Sequence, residues 1–393
     1  MPFSIFFVYL HDRNLFNRTT MKKSMPLCLV LLLSVFTACH STNGQSEDNT
    51  ILLPLNLTSP QKELPLSSFI DSVTTIRLAL PDSMFFGSVS RIYFEGNNIY
   101  ASDSKQNVVF RFDRSGRFLN SIGRQGGGPG EYTELSGFFL GKDCLYLEDL
   151  ATRRIFSYSP DGTFIRNITF PFSLIYDDIV ALPDSNFLCY QLSCSQLDNS
   201  NGLWIMNDKG EKVETILQKE EVYPYSSSMF ARMTTDTEGI VHAFNPSSGE
   251  FYRYDPVQKT VSRTYQFQPD VKLESQFIGH RTTLDIKDER AGCDMAIESD
   301  HYLYTLWSIF SDSPRGRGVH VLYHKQTGEL TTFERPLIDL PGMFSLGLYV
   351  SSNYPNALVL QYSDEYVAEY YPKEYKELEM KENILLVKVL HFK

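Results

Sequence analysis

VFRFDRSGRFL, residues 109–119, places an aromatic and apolar run, a polar turn and a return run within eleven positions. Two short antiparallel strands joined by a tight turn explain that order, and many β folds contain such a hairpin. Its recurrence chooses among them. IFSYSPDGTFI from Ile155, LWIMNDKGEKV from Leu203, FYRYDPVQKTV from Phe251 and HVLYHKQTGEL from His320 follow the same order of residue types. Their equivalent positions, Phe112, Tyr158, Met206, Tyr254 and Tyr323, recur about every 47 residues until one longer step of about 69.

A second run repeats in step with the first. NNIYASDSKQNVVFRF from Asn97 aligns with DCLYLEDLATRRIFSY from Asp143, so that Tyr100 matches Tyr146 and Asp103 matches Asp149. Weaker copies begin at Ser185, Glu238 and Asp300, and a sixth unit is marked by PNALVLQY from Pro355 with KENILLVKVLHF from Lys381. A period of about 40–50 residues with four strands per unit is what a β-propeller blade requires. The expected fold is therefore all-β, a six-bladed β-propeller of four-stranded antiparallel blades over residues 64–393. VTTIRLAL, residues 73–80, stands alone before the first full unit. It is expected to complete the last blade and close the ring, which removes an open sheet edge. An insertion near residues 277–292 is expected to leave its blade as a loop.

The N-terminal end differs from the rest. Met21, Lys22 and Lys23 form a short basic region, an apolar run follows over residues 27–38, and Cys39 comes next. The run is too short to span a bilayer comfortably and reads as an export signal. FTAC, ending at Cys39, resembles a bacterial lipobox, in which cleavage precedes a diacylated cysteine. Residues 1–20 are expected to be a mis-assigned extension, residues 21–38 a lipoprotein signal peptide, and residues 39–63 a lipidated flexible tether. A formal charge of −11 lacks the basic balance that nucleic acid demands. Cys189 and Cys194 can close a small loop in an oxidising compartment, while buried free thiols explain them equally well.

Taken with the repeat, FRFDRSGRFLNSIGRQGGGPGEY, residues 110–132, resembles the six-bladed β-propeller lipoproteins of Gram-negative gut bacteria, relatives of NHL-repeat propellers. The family's glycine-rich stretch is matched by Gly123, Arg124, Gly126, Gly128, Pro129, Gly130, Glu131 and Tyr132. The resemblance implies the fold and an outer-membrane envelope location, on the periplasmic or the surface face, and assigns no activity.

Catalytic signatures are sparse. The glycine stretch matches neither a P-loop nor a dinucleotide fingerprint, and a sharp blade-to-blade corner accounts for it. Arg124 and Glu131 exceed what a corner needs, and they are expected to brace neighbouring blades. Asp103 and Asp149 invite a calcium or acid/base role, yet a carboxylate repeated at one turn is expected to accept backbone amides. His320 and His324 share a strand face at roughly 13 Å, too far apart to ligate one metal by themselves. The acidic pairs Asp177–Asp178 and Glu220–Glu221 and the aromatic segments 221–230 and 366–375 are expected on loop surfaces. No cofactor is expected. Two functions stay open: a non-enzymatic binding or scaffold propeller for a protein partner or glycan, and a propeller hydrolase or lactonase with a divalent metal in its central channel.

Overall fold

In the computed structural model, which describes residues 49–192, 201–219, 231–246, 248–273, 289–310 and 317–393, the hairpin repeat forms the third and fourth strands of successive sheets. Val108–Asp113 pairs with Phe118–Ile122, Arg154–Tyr158 with Phe164–Thr169, and Asn201–Met206 with Lys212–Lys219. Glu250–Asp255 likewise pairs with Thr260–Pro269, and Arg317–His324 with Leu330–Leu337. The strands that open these five sheets are Val89–Glu95, Gly137–Leu140, Asp178–Ala181, Met233–Thr235 and Arg290–Glu298. The last sheet contains Leu348–Tyr349, Ala357–Tyr362 and Ile384–Phe392, and its outer strand is Ile70–Ala79. The described residues thus group into six sheets, sheets 1 to 6 in chain order, in an all-β propeller of four-stranded antiparallel meanders.

The chain ends on the third strand of sheet 6, so the return strand of the last repeat comes from the opposite end of the sequence. It spans Ile70–Ala79, a little longer than the expected strand, and pairs antiparallel along Ile384–Phe392. Apolar clusters lie between each sheet and the next, and one joins sheet 6 to sheet 1 through Leu78, Val359 and Val387 against Ile92, Phe94 and Phe110. Each sheet therefore buries both faces, which explains why its second and third strands read as apolar runs with little alternation.

The same glycine of three successive hairpins presses on the outer strand of the preceding sheet. A Cβ at Gly116 would lie 2.1 Å from the Arg77 carbonyl oxygen, and one at Gly210 would lie 2.3 Å from that of Thr169. Between them, Gly162 approaches Ser121 in the same way. Gly116 and Gly210 also have φ of +86° and +83°, a region in which a side chain is strained.

The flexible stretch expected to run to residue 63 ends earlier. Ile51–Leu55 adds in parallel to Thr260–Pro269 on sheet 4, and Gln61–Pro65 adds to Leu330–Leu337 on sheet 5. The physical reason is apolar burial: Leu53, Leu55 and Leu57 pack with Phe267 and Trp307 between those two sheets. The aromatic segment 366–375 is also not a plain loop surface. It forms two short helices, Asp364–Tyr370 and Pro372–Glu377, the first capped by the Ser363 side chain, which accepts from the Tyr366 amide. No helix among the described residues is long and apolar enough to cross a membrane.

The extension at 1–20, the signal segment at 21–38, Cys39, Cys194, the Glu220–Glu221 pair, segment 221–230 and most of the 277–292 insertion lie outside the described residues. The described part belongs to the unit Gly44–Lys393.

Candidate functional site

The glycine-rich stretch is the corner between sheets 1 and 2. Gln125 and Tyr132 form an isolated bridge across it, and Gly130 has φ of +74° with Phe164 packed where a Cβ would project. Arg124 and Glu131 pair with each other, and Glu131 Oε2 also accepts the Gly128 amide at 2.7 Å. That corrects the expected brace between neighbouring blades: the two charges fold the corner onto itself. Tyrosines make the links between the sheets instead. Tyr132 donates to the Asn107 carbonyl at 2.6 Å, and Tyr158 of sheet 2 donates to the Gly130 carbonyl.

Asp103 accepts the amides of Gly87, Ser88, Lys105 and Gln106 at 2.5–3.1 Å. Asp149 accepts those of Thr133 and Thr152 at 2.7 and 3.1 Å. Both carboxylates are buried and terminate the second strands of their sheets, tying turns in place. Cys189 is a buried free thiol on Phe187–Gln191, where burial pushes its pKa up. His320 faces Tyr304, with Nδ1 2.6 Å from the phenol oxygen, and burial pushes its pKa down to about 4.

The first strands of the sheets are innermost, because they touch one another. Arg91 of sheet 1 bridges to Ser351 of sheet 6, and the Ala231 amide, at the entry to sheet 4, donates to Ser351 Oγ at 2.9 Å. Asp178, expected on a loop surface, is instead buried at the start of the first strand of sheet 3. Its Oδ2 accepts the amides of Arg232 and Met233 at 2.6 and 2.8 Å, and its Oδ1 lies 3.6 Å from the Arg91 guanidinium. Glu148 of sheet 2 packs over Gly137 beside Arg91. Burial drives its carboxyl up to about 7, with the Asp178 charge adding to the rise and Arg91 opposing it. Four sheets thus meet at a buried Arg91–Glu148–Asp178 knot.

Toward the C-terminal ends of the first strands the channel opens into a cavity of about 430 Å³ between sheets 4, 5, 6 and 1. Ala231 and Ser351 lie at its floor, and Thr234, Thr235, Asn353 and Asn356 are among its polar walls. Phe94 and Tyr354 form an aromatic edge-to-face pair on one side, with centroids 4.8 Å apart. The wall loop of sheet 6 is pinned at two points. Asn353 bonds both the amide and the carbonyl of Phe94, at 2.7 and 3.0 Å, and Asn356 bonds both the amide and the carboxylate of Asp300, at 2.8 and 2.6 Å.

A charge cluster forms the facing wall. His242 Nε2 lies 3.0 Å from Asp236 and its Nδ1 2.9 Å from Glu298, while the Lys325 ammonium donates to Glu298 at 2.8 Å. Burial works against the His242 cation, but the bonds and charges of Glu298 and Asp236 outweigh it and raise its pKa above the ordinary value. Burial likewise opposes ionisation of Glu298, yet His242 and Lys325 hold its carboxyl down to about 2. His242 and Lys325 are therefore paired with two carboxylates across sheets 4 and 5. No group of three or more acidic, histidine or cysteine side chains placed to hold a metal occurs among the described residues.

Sequence reasoning found the corner and the turn acids but missed His242, Glu298, Lys325 and Arg91. Each sits in a different repeat position, so the period that revealed the hairpins carries no trace of them.

Solved structures share the fold. A Bacteroides fragilis protein, named as a candidate for export, superposes with a TM-score of 0.68 at 18% identity, over 86% of this chain and 99% of its own. A DUF4221 family member from Bacteroides vulgatus superposes with a TM-score of 0.55 at 13% identity, over 83% of this chain and 97% of its own. No curated protein matches the chain. A family model described as a domain of unknown function matches residues 48–389, and the chain accordingly belongs to the DUF4934 family.

Proposed function

We propose that this chain is an extracytoplasmic lipoprotein, anchored through Cys39 to the outer membrane, whose propeller is a non-enzymatic binding module for a protein partner or glycan. The basic region, apolar run and FTAC sequence support the anchor. The six sheets and the cluster between the last and the first support a six-bladed, NHL-like ring closed by Ile70–Ala79.

The observation that carries the binding role is the cavity of about 430 Å³ at the channel end. It falls in the range of about 300–1,000 Å³ typical of ligand pockets. Asp236, His242, Glu298 and Lys325 in its wall are committed to one another, an arrangement that suits recognition better than proton transfer.

A library of peptides, metabolites and oligosaccharides, screened by thermal shift against the wild-type chain and a Thr234→Trp variant that fills the cavity, tests this reading. Binders should stabilise the wild type alone and be recovered chemically unchanged. Equal stabilisation of both proteins, or conversion of a binder to product, would overturn it.

A further inference from the structure

We infer that the cavity takes the end of a neutral saccharide chain, an assignment that rests on the cavity being the binding site. Three observations converge on that chemistry. The first is charge. Asp236 and Glu298 are matched by His242 and Lys325 within the wall, and Asp300, the remaining acid, is exposed and already accepts from Asn356. An anionic ligand would meet the exposed Asp300 carboxylate, and for a cationic ligand Asp236 and Glu298 are already engaged, which leaves Asp300 alone as counter-charge.

The second is the polar lining. Thr234, Thr235, Ser352, Asn353 and Asn356 line the space. Hydroxyls donate and accept, and each carboxamide keeps a second N–H beyond the bond that pins it. Such a surface matches a ligand whose own groups do both, as sugar hydroxyls do. Because the carboxamides are already fixed by Phe94 and Asp300, little ordering is needed on binding.

The third is shape. Half-buried Tyr354, backed by the buried Phe94 ring, lines the space beside these polar groups, and the C–H face of a pyranose ring packs on an aromatic surface. The Ala231 amide and Ser351 Oγ, 2.9 Å apart, join two sheets at the inner end of the cavity, which favours entry of a chain terminus over threading of a chain.

The test uses the full chain in calorimetric titrations with cellobiose, chitobiose and maltotriose. Digalacturonic acid serves as the charged analogue and a serine-rich tripeptide as the peptide of similar size. At least one neutral sugar should bind with a Kd between about 10 µM and 10 mM, the range expected for a ligand of this size. Tyr354→Ala should weaken it about tenfold, Tyr354→Phe should leave it within about twofold, and Thr235→Val should weaken it about fivefold. Digalacturonic acid binding as tightly as the neutral sugars overturns the assignment. Binding of the tripeptide alone, abolished by Thr234→Trp, overturns the saccharide assignment and leaves the cavity as a binding site. If no probe binds and the broader screen also finds no ligand sensitive to Thr234→Trp, both readings fail.

Discussion

Glu148 has no counterpart of its kind in the sequence pattern, and its buried environment moves its titration toward neutral pH. Burial raises its pKa from 4.5 to about 7. Below pH 4.5 the carboxyl is protonated in both folded and unfolded chains and costs nothing. Between 4.5 and about 7 the unfolded chain ionises while the folded one keeps its proton, so stability falls with rising pH. Above 7 the full penalty persists, on the order of 3 kcal/mol for a shift of this size. Glu148→Gln removes the titration. Its melting temperature relative to wild type should rise by several degrees between pH 5 and pH 8, and a difference that is flat across that range would contradict the assignment. His242 has the opposite sign. Its raised pKa means that the clamp between sheets 4 and 5 is strongest at low pH and weakens as pH rises through the folded pKa.

At the scale of the element, the hairpin between the third and fourth strands does more than turn the chain. Its glycine is the contact by which one sheet seats on the previous one, as at Gly116 against Arg77 and Gly210 against Thr169. The Gly116 carbonyl also accepts the Ala79 amide at 3.0 Å, so the hairpin of sheet 1 grips the outer strand of sheet 6. Gly116→Ala adds a Cβ against a carbonyl oxygen and strains a positive φ. A loss of about 2–3 kcal/mol is expected, read as a fall of several degrees in melting temperature. A change under about 1 °C would show that the two sheets can separate at this point without cost. The corner at 123–132 works by the same logic, with tyrosine hydroxyls in place of a bare backbone approach.

At the scale of the whole molecule, the N-terminal residues visit the outer edges of sheets 4, 5 and 6 in turn, through Ile51–Leu55, Gln61–Pro65 and Ile70–Ala79. The first two cover edges that are already complete meanders, and the third supplies a missing strand. Deletion through residue 58 should therefore leave a folded protein with a lower melting temperature, since it removes Leu53, Leu55 and Leu57 from the core at about 1.5–3 kcal/mol each. Deletion through residue 79 should abolish soluble expression, because it exposes the edge of Ile384–Phe392 and opens the cluster around Val387 and Val389. Equal behaviour of the two truncations would contradict the division of roles.

Much of this was legible without coordinates. A hairpin is local: apolar runs, a polar turn and a glycine lie within about a dozen residues, and each copy must satisfy the same contact with its neighbour, so the pattern repeats and can be read. The blade period, the corner at Gly123–Tyr132 and the structural role of Asp103 and Asp149 follow from that locality. Strand Ile51–Leu55 escaped because a single five-residue run after a polar segment has no repeat to mark it. The cavity and the buried knot were decided by tertiary structure alone. Arg91, Glu148 and Asp178 come from three sheets, and Asp236, His242, Glu298 and Lys325 from two more. Such groups occupy positions where the repeats differ from one another, and only the packing of the sheets against one another brings them within reach of each other.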